Sequence, residues 1–474
     1  MMNFDGDLGR HLTIGKYILE HLTIPRYDLF SFTMLGEPVT PHEWLSQVVF
    51  ALAHNLVGFA GVILVCALVI ATAFWVVYKR IHMNTNSLLI ALLVAFLAMT
   101  SSALHWLSRP HIFTFLFLAL WIAVLDRMAR GKTRNWWLLP LLMVFWANFH
   151  GAFIAGFMTW FLFGFGVLLD QIWGKKPLQE GLSPKFWSSY LLGGGVSLLA
   201  SFINPAGIGI WGTSVGYLGE SFLVNMTQEY QSPDFHLYRM WPFLLFIVLL
   251  LILFALNKRD RKFRDLVPAV AWMAMGLYSS RNIPLFGIVS APLLAFELDT
   301  LWITATEKFK WVAKIKKVDD RYVVMDGQLK GFVWPVLIVV LAVVGLSLGL
   351  TFDFQQSGYA YDPEVFPVDA VAWLEENPQD GNMFNYFIWG GYLLYEEWPD
   401  ELVFIDGQTD FYGEALTRQY LEVLMAVDGW EDILAEYDVA WAILPQEEVV
   451  THLMVVDLGW QEVYRDDVAV IVHR

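Results

Sequence analysis

Long apolar stretches separated by short polar segments dominate the chain from about residue 58 to residue 351. A run of about 18 or more apolar residues is long enough to cross a bilayer as a helix. Tryptophans lie near the ends of many of these stretches, where amphipathic rings prefer to sit in a membrane. We therefore predict a transmembrane domain, residues 58–351, with about ten helices near residues 58–78, 86–106, 112–127, 136–149, 150–173, 187–203, 240–256, 265–280, 283–298 and 333–351.

The polar segments differ in charge, and the basic ones indicate the orientation of the chain. Cytoplasmic loops of membrane proteins are enriched in Lys and Arg. With ten crossings, both chain ends lie on one side of the membrane and all the basic clusters lie on the other. This predicts a multi-pass protein of the cytoplasmic membrane whose inner loops carry Lys79-Arg80, Arg127–Arg134, Lys175-Lys176, Lys258–Arg264 and Lys308–Arg321.

Residues 1–57 have a mixed, amphipathic pattern and are not predicted to span the membrane. Apolar residues recur at helical spacing in Ile14–Leu22 and in Glu43–Leu56. We predict an outward-facing first loop whose amphipathic helices are of the kind that lie on a membrane surface.

From about Asp362 the pattern is that of a soluble α/β domain, and residues 352–474 are predicted to form an extracytoplasmic domain. Short apolar runs predict strands, and the last two flank a plausible hairpin turn at Asp466-Asp467. The predicted strands are Met383–Asn385, Val403–Ile405, Trp441–Leu444, Gln461–Arg465 and Val468–Val472, and the predicted helices are Val368–Glu376, Glu414–Val427 and Glu431–Tyr437.

Composition supports a membrane protein with an acidic appendage. Of the 474 residues 57% are hydrophobic and 16% charged, and the net charge is −16. From Thr351 onward there are 26 Asp and Glu but three Lys and Arg, so the acid is concentrated in the C-terminal domain. The chain offers no basic face for phosphate neutralisation, so we predict no nucleic-acid binding. The acidic domain is a candidate surface for protein partners.

The first loop contains paired acids. Asp5 and Asp7 lie two residues apart, followed by Arg10 and His11, and His42 with Glu43 closes the loop. Two such carboxylates can hold a divalent cation or position a general base. The alternative is an ordinary solvated loop. Further along, Asp406 and Asp410 are interpreted as a solvated turn, with Ca²⁺ binding as the alternative.

Basic side chains also occur on the outward side, where the charge bias disfavours them. Arg109, His111, His150 and Arg281 all lie at predicted outward turns. An ionisable group at membrane depth usually faces a cavity or a partner, although helix-end residues also extend to the interface. We expect these four to converge on one outward cavity, where two arginines would suit a phosphate or pyrophosphate group.

These segments together resemble a known family. The run Asp5–Leu12, then Pro25–Asp28, Phe30-Ser31 and His42–Leu45, resembles the first outward loop of GT-C-type membrane glycosyltransferases, in particular bacterial proteins of the dolichyl-phosphate-mannose mannosyltransferase-like group. Three further sets of residues fit the same group: the turns Arg109–His111, Asn148–Gly151, Asn204-Pro205 and Arg281–Pro284, the run Asn385–Leu393, and Phe404–Gly407. The tail is also distantly similar to the W-W-D-Y-G region of oligosaccharyltransferase catalytic subunits.

The resemblance implies a fold and a reaction. The fold is a polytopic α-helical membrane protein, GT-C-like, with about ten transmembrane helices and a C-terminal soluble α/β domain. The donor is a polyprenyl-phosphate-linked sugar. Asp5 or Asp7, with Glu43 as a further acid, acts as base or orients the acceptor, and Arg109 and Arg281 meet the lipid phosphate. The candidate binding residues also include His42, His111 and His150. A role for Mg²⁺ or Mn²⁺ at Asp5 and Asp7 is left open.

Two departures from the family pattern change these expectations. A transmembrane helix normally precedes the acidic loop, whereas this sequence begins a few residues before Asp5, so that helix is either truncated or absent. The tail reads Asn385-Tyr386-Phe387-Ile388-Trp389-Gly390-Gly391, without an Asp at the W-W-D-Y-G position. Recognition of an acceptor peptide is therefore not carried over. The alternatives to a glycosyltransferase are a non-catalytic membrane scaffold or assembly subunit on the same fold and, third, a transporter.

Overall fold

The computed structural model describes residues 5–173, 183–216, 227–258, 260–329 and 361–474, with a few single positions between these ranges. The predicted span 333–351 therefore lies, apart from such single positions, outside the described residues. The α-helices in the described part of the chain are α1 Asp7–His21, α2 Trp44–Val57, α3 Phe59–His82, α4 Leu88–Ser102, α5 His111–Ala129, α6 Leu138–Phe149, α7 Ile154–Trp173, α8 Pro184–Ala200, α9 Gly209–Gly216, α10 Trp241–Leu256, α11 Phe263–Tyr278, α12 Ile283–Lys308, α13 Lys310–Gln328, α14 Val368–Glu376, α15 Gly390–Glu397, α16 Thr409–Leu424, α17 Trp430–Glu436 and α18 Val449–Val456.

A bundle of apolar helices forms the membrane part of the protein, and nine of the ten predicted spans coincide with a helix. Helices α5 and α12 lie at its centre, since 72% and 67% of their apolar windows are buried. Helices α6, α8 and α11 have 12, 17 and 16 residues and are short for a crossing. In the described residues, six segments are long and apolar enough to span a membrane: Phe59–His82, Leu88–His105, His111–Ala129, Gly151–Trp173, Tyr238–Leu256 and Ser280–Lys308. The count of about ten remains a prediction.

Helix α1 packs between α2 and α15 of the C-terminal domain. Two glycines make this close packing feasible, because a β-carbon on Gly9 would overlap the backbone of Gly391, and one on Gly15 would overlap the backbone of Gln47. Ile14 of α1 also shares a hydrophobic cluster with Tyr392 of α15. The first segment of the chain is thereby attached to the last one.

The C-terminal domain contains a four-stranded sheet of order β1-β2-β4-β3, with β1 parallel to β2 and the other pairs antiparallel. The predicted hairpin at Asp466-Asp467 joins β3 to β4. The strands are β1 Asn382–Asn385, β2 Val439–Pro445, β3 Gln461–Arg465 and β4 Ala469–His473.

The predicted strand Val403–Ile405 is wrong as a member of this sheet. Val403 forms an isolated bridge with Ser31 of the first loop. The buried side chain of Asn385 accepts hydrogen bonds from the backbone of Phe404 and Ile405, at 2.8 and 3.4 Å. The segment is extended because the first loop and an asparagine satisfy its backbone, a pairing that local strand propensity does not reveal.

Candidate functional site

Arg109, in the turn before α5, binds both acids of the first loop. Its Nε lies 2.8 and 2.7 Å from the two carboxylate oxygens of Asp5, and its Nη1 lies 2.8 Å from Asp7 Oδ2. The Asp5 side chain has no exposed surface, whereas those of Asp7 and Arg109 are about a quarter and a third exposed. Asp5 is therefore a buried counter-ion, and Asp7 is the acid of the pair that solvent can reach.

A third acid, Glu229, lies beside the same arginine and was missed by the sequence analysis. Its carboxylate is 4.0 Å from Arg109 Nη1. The next residue, Tyr230, receives a 2.5 Å hydrogen bond from Arg281, whose guanidinium lies 4.9 Å from the Tyr230 ring centre. An acid followed by an aromatic residue, in the segment between the predicted spans 187–203 and 240–256, was the available signal.

Oppositely charged neighbours stabilise the charges of Glu229 and Arg109. Burial alone would raise the pKa of Glu229, but Arg109 and Arg281 outweigh burial and lower that pKa to about 2. Burial likewise opposes the charge on Arg109, yet Asp5 and Asp7 hold the pKa of its guanidinium well above the ordinary value. Burial raises the pKa of Asp5, and Arg109 opposes that shift. We call these interacting residues the Arg109 cluster: Asp5, Asp7, Arg109, Glu229 and Arg281.

A second group surrounds Glu43 at the start of α2. His150 Nε2 and His42 Nε2 lie 3.5 and 3.8 Å from Glu43 Oε1, and His11 Nδ1 lies 4.0 Å from Oε2. Burial raises the pKa of Glu43. Burial, with the charges of Arg10 and Arg109, lowers the pKa of His11 well below its ordinary value, so His11 is neutral. We call Glu43, His42, His150 and His11 the Glu43 cluster.

Hydrogen bonds from the membrane helices orient His150. Trp146 Nε1 donates to Thr114 Oγ1 at 3.0 Å, and Thr114 lies 2.9 Å from His150 Nδ1. The Ala152 backbone N–H also points at Nδ1, at 3.3 Å. With its hydroxyl oxygen accepting from Trp146, Thr114 donates to Nδ1, which leaves the proton of His150 on Nε2 and facing Glu43.

His111 lies between the two clusters. Its ring centre is 6.5 Å from that of His150. Its Nε2 donates to the carbonyl of His105 at 2.7 Å, and His105 Nε2 donates in turn to the carbonyl of Ser280 at 2.9 Å. Seven of the eight predicted site residues thus lie in the two clusters, and the eighth, His111, lies between them. The seven are Asp5, Asp7, His42, Glu43, Arg109, His150 and Arg281.

The C-terminal domain contributes to this region through Asp406, and the solvated-turn interpretation of that residue is wrong. Asp406 is 1% exposed, and its Oδ2 lies 3.2 Å from Arg10 Nε. Burial raises the pKa of Asp406 to about 6, although Arg10 opposes the shift. The Arg10–Asp406 pair has no signal in the local sequence, because α1 and the loop before α16 are distant in the chain.

A cavity of about 430 Å³, part of it open to solvent, adjoins the Glu43 cluster. Its polar wall is formed by Arg10, His42, Glu43 and Gln408, and its apolar wall includes Ile14 and Ile18 of α1. An opening of this composition suits a ligand with both hydroxyl groups and apolar surface.

The possible metal site at Asp5 and Asp7 does not fit the geometry. Both oxygens of Asp5 accept hydrogen bonds from Arg109. Among the described residues, no group of three or more His, Cys, Asp or Glu is arranged to hold a metal ion. Dependence on Mg²⁺ or Mn²⁺ therefore stays open, as the family resemblance left it.

No protein-family model and no curated protein sequence matches the chain. Among solved structures, the apo form of the Archaeoglobus fulgidus oligosaccharyltransferase aligns with 93% of this chain and 66% of its own, at a TM-score of 0.57 and 11% identity. The same organism's oligosaccharyltransferase AglB, in complex with an inhibitory peptide and a dolichol-phosphate, aligns with 94% of this chain and 66% of its own. Its TM-score is also 0.57 and its identity 11%. ArnT from Cupriavidus metallidurans bound to undecaprenyl phosphate aligns with 99% of this chain and 94% of its own, at a TM-score of 0.48 and 13% identity.

The chain thus has a GT-C-like fold. It spans about two thirds of the length of the oligosaccharyltransferases that it resembles. Those relatives and the six membrane-capable segments support a membrane protein. One fold hosts many activities, so the reaction has to be argued from the two clusters.

Proposed function

We propose that this protein transfers a sugar from a polyprenyl-phosphate donor to a lipid, glycan or protein acceptor on the extracytoplasmic side of the cytoplasmic membrane. The observation that carries the proposal is the Arg109 cluster at one end of a GT-C-like helix bundle: Arg109 holds a solvent-accessible carboxylate, Asp7, and a second arginine, Arg281, interacts with the same Glu229 as Arg109. The AglB and ArnT structures contain dolichol-phosphate and undecaprenyl phosphate, respectively, which is the class of lipid we assign to the donor.

In this proposal Asp7 is the base. An acceptor hydroxyl oxygen attacks the anomeric carbon of the sugar, its proton passes to the Asp7 carboxylate, and the bond between that carbon and the phosphate oxygen breaks with its electron pair leaving on phosphate. Arg109 and Arg281 stabilise the departing charge. Glu229 has the longest contact with Arg109, 4.0 Å, so it is the partner that an incoming phosphate oxygen would replace.

Asp5 has a positioning role in this scheme, because its buried carboxylate holds the Nε of Arg109. The Glu43 cluster and the adjoining cavity are assigned to the acceptor or the sugar, with His42, His111 and His150 as binding residues and Glu43 as a further acid. The positive-inside bias places the clusters and the acidic C-terminal domain on the outer side.

The test is complementation of a deletion strain of the source organism with Asp7→Asn, Asp5→Asn or Glu43→Gln, followed by profiling of envelope glycolipids, glycans and polyprenyl-linked sugars. We expect deletion to change the profile, Asp7→Asn to reproduce the deletion, and the donor lipid to accumulate. Asp320→Asn is the control, since Asp320 is an exposed acid of α13 paired with Lys316. If all three variants match wild type while deletion changes the profile, a catalytic acid in these clusters is wrong.

The second candidate is a non-catalytic scaffold or assembly subunit on the same fold. The observation in its favour is that Arg109 already has three carboxylates within 4.0 Å, so its charge is balanced without a phosphate. The same deletion experiment separates the two. If the protein is a scaffold, deletion should leave the envelope profile unchanged and should dissociate a membrane complex. The acidic C-terminal domain would then be the surface for protein partners.

A further inference from the structure

A second charged cavity lies at the opposite end of the helix bundle from the Arg109 cluster. It has a volume of about 470 Å³, part of it open to solvent. The ends of α3 and α5 and the start of α11 meet there, and they contribute Arg80, Arg130, Lys262 and Arg264. These residues come from three of the five basic segments that the sequence analysis used solely to orient the chain.

The cavity has more positive than negative charge. Its two carboxylates are Asp126 and Asp265. Asp126 is already engaged, because its Oδ2 lies 2.9 Å from Arg80 Nε. Arg130 and Lys262 are exposed at the mouth, and neither they nor Arg264 forms an ion pair within 4.0 Å among the described residues.

Arg264 is the residue that indicates a ligand. It is 8% exposed, and its Nη1 is buried without a hydrogen-bond partner in the described part of the chain. The charge of Arg264 interacts with Asp170 and Asp265, but a buried nitrogen without an acceptor is still costly, and natural proteins normally satisfy such groups. An anion in the cavity would supply the missing acceptor.

The backbone around Arg264 holds this side chain at the cavity. Asp170 of α7 accepts the backbone N–H of Phe263 at 2.6 Å and that of Arg264 at 3.2 Å. A β-carbon on Gly166 would overlap the Arg264 backbone, so α7 and α11 are in direct contact here. The start of α11 is thus a rigid support, and its own N–H groups are already satisfied by Asp170.

We propose that this cavity binds a phosphate group, carried either by an anionic phospholipid headgroup or by a free phosphate compound. Arg264 forms the floor of the site, and Arg130 and Lys262 close it from the mouth. A planar guanidinium beside two further cations is the donor set that phosphate oxygens require, and basic pockets between membrane helices recognise lipid headgroups in this way. This inference is independent of the proposed sugar transfer.

The test measures binding to the purified full-length protein in neutral detergent micelles. Native mass spectrometry counts bound phosphatidylglycerol against zwitterionic phosphatidylcholine, and thermal unfolding is followed with added inorganic phosphate. Arg264→Gln is the direct variant but removes a buried side chain, so Arg130→Gln/Lys262→Gln, at two exposed positions, is the main one. Arg134→Gln is the control for a nearby loss of charge, since Arg134 is an exposed base of the same inner turn as Arg130 and does not line the cavity.

We expect wild type and Arg134→Gln to bind alike, and the double variant to bind about 25-fold more weakly, at about fivefold per basic side chain. Selective binding of phosphatidylglycerol identifies the lipid source, and binding of inorganic phosphate with the same sensitivity to the variants identifies the free source. Equal binding of both lipids with no effect of phosphate overturns the proposal, as does equal weakening by Arg134→Gln and the double variant.

Discussion

The carboxylate of Asp7 lies directly against Gly407, so closely that a β-carbon at position 407 would overlap it. These two residues come from opposite ends of the chain. The position of the proposed base therefore depends on the C-terminal domain, which is docked on α1 through Gly9 and Gly391. The soluble domain is in this sense part of the site.

Gly407→Ala should displace Asp7 and abolish most of the transfer activity. Overpacking of this kind costs about 1–3 kcal/mol, so we also expect a lower melting temperature in detergent micelles. Activity is read from the envelope profile of the complemented deletion strain. Gly195→Ala is the control, because a β-carbon there would meet open space. If the two variants behave alike in both measurements, the close contact between Asp7 and Gly407 is not what positions the base.

Arg109→Gln should destabilise the fold strongly, because it leaves the Asp5 carboxylate buried without its cation. Removing one partner of a buried ion pair costs about 3–5 kcal/mol. Asp5→Asn/Arg109→Gln should recover at least half of that loss, since it removes the orphaned charge as well. Arg109→Lys should be intermediate, because an ammonium group cannot contact both acids with the same geometry. Chemical unfolding in micelles is measured for the wild type, these three variants and Asp5→Asn. Simple additivity of the Asp5→Asn and Arg109→Gln effects would contradict the coupling.

Periodicity and charge predicted most of the fold, because burial in a bilayer leaves a signal within each segment. Nine apolar stretches coincide with helices, and the structure has the predicted α14 at Val368–Glu376 and the β3–β4 hairpin. Val403–Ile405 was predicted as a strand, but it forms one isolated bridge with Ser31, a pairing that crosses nearly the whole chain. Distant pairings of this kind leave no mark on local sequence.

The candidate site was predictable in its residue types but not in its connections. Arg109, His150 and Arg281 stood out because they break the charge bias of outward turns. Glu229 did not stand out, because the charge bias disfavours bases, not acids, in outward turns. The burial of Asp406 was likewise hidden, because whether a carboxylate is solvated depends on what packs over it, and here that is α1 through Arg10.

The buried Asp406 should make stability depend on pH in a specific direction. Its pKa is raised from 3.8 to about 6 in the folded protein, so the folded state binds more protons than the unfolded state between these values. The stability that protonated Asp406 contributes is complete below about pH 3.8 and is lost as the pH rises through about 6, a change of about 3 kcal/mol. Asp406→Asn should flatten this slope. Melting temperatures of the variant and the wild type in micelles between pH 4 and 7.5 test this, and equal slopes for the two would refute it.

Thr114→Val should impair the Glu43 cluster from inside the membrane part. The hydroxyl joins Trp146 to His150, so its loss leaves the buried Trp146 N–H unpaired, at about 1–3 kcal/mol. It also weakens the hold on the His150 tautomer, because the longer 3.3 Å bond from the Ala152 N–H is then the remaining donor to Nδ1. If His150 serves the acceptor through its Nε2 proton, the variant should lower transfer activity by more than its stability loss explains. The pH profile of the activity should also shift.

Thr100→Val is the control, because Thr100 Oγ1 donates hydrogen bonds to backbone carbonyls of its own helix, those of Phe96 and Leu97. A variant with reduced stability but an unchanged pH profile would show that Thr114 acts on packing alone.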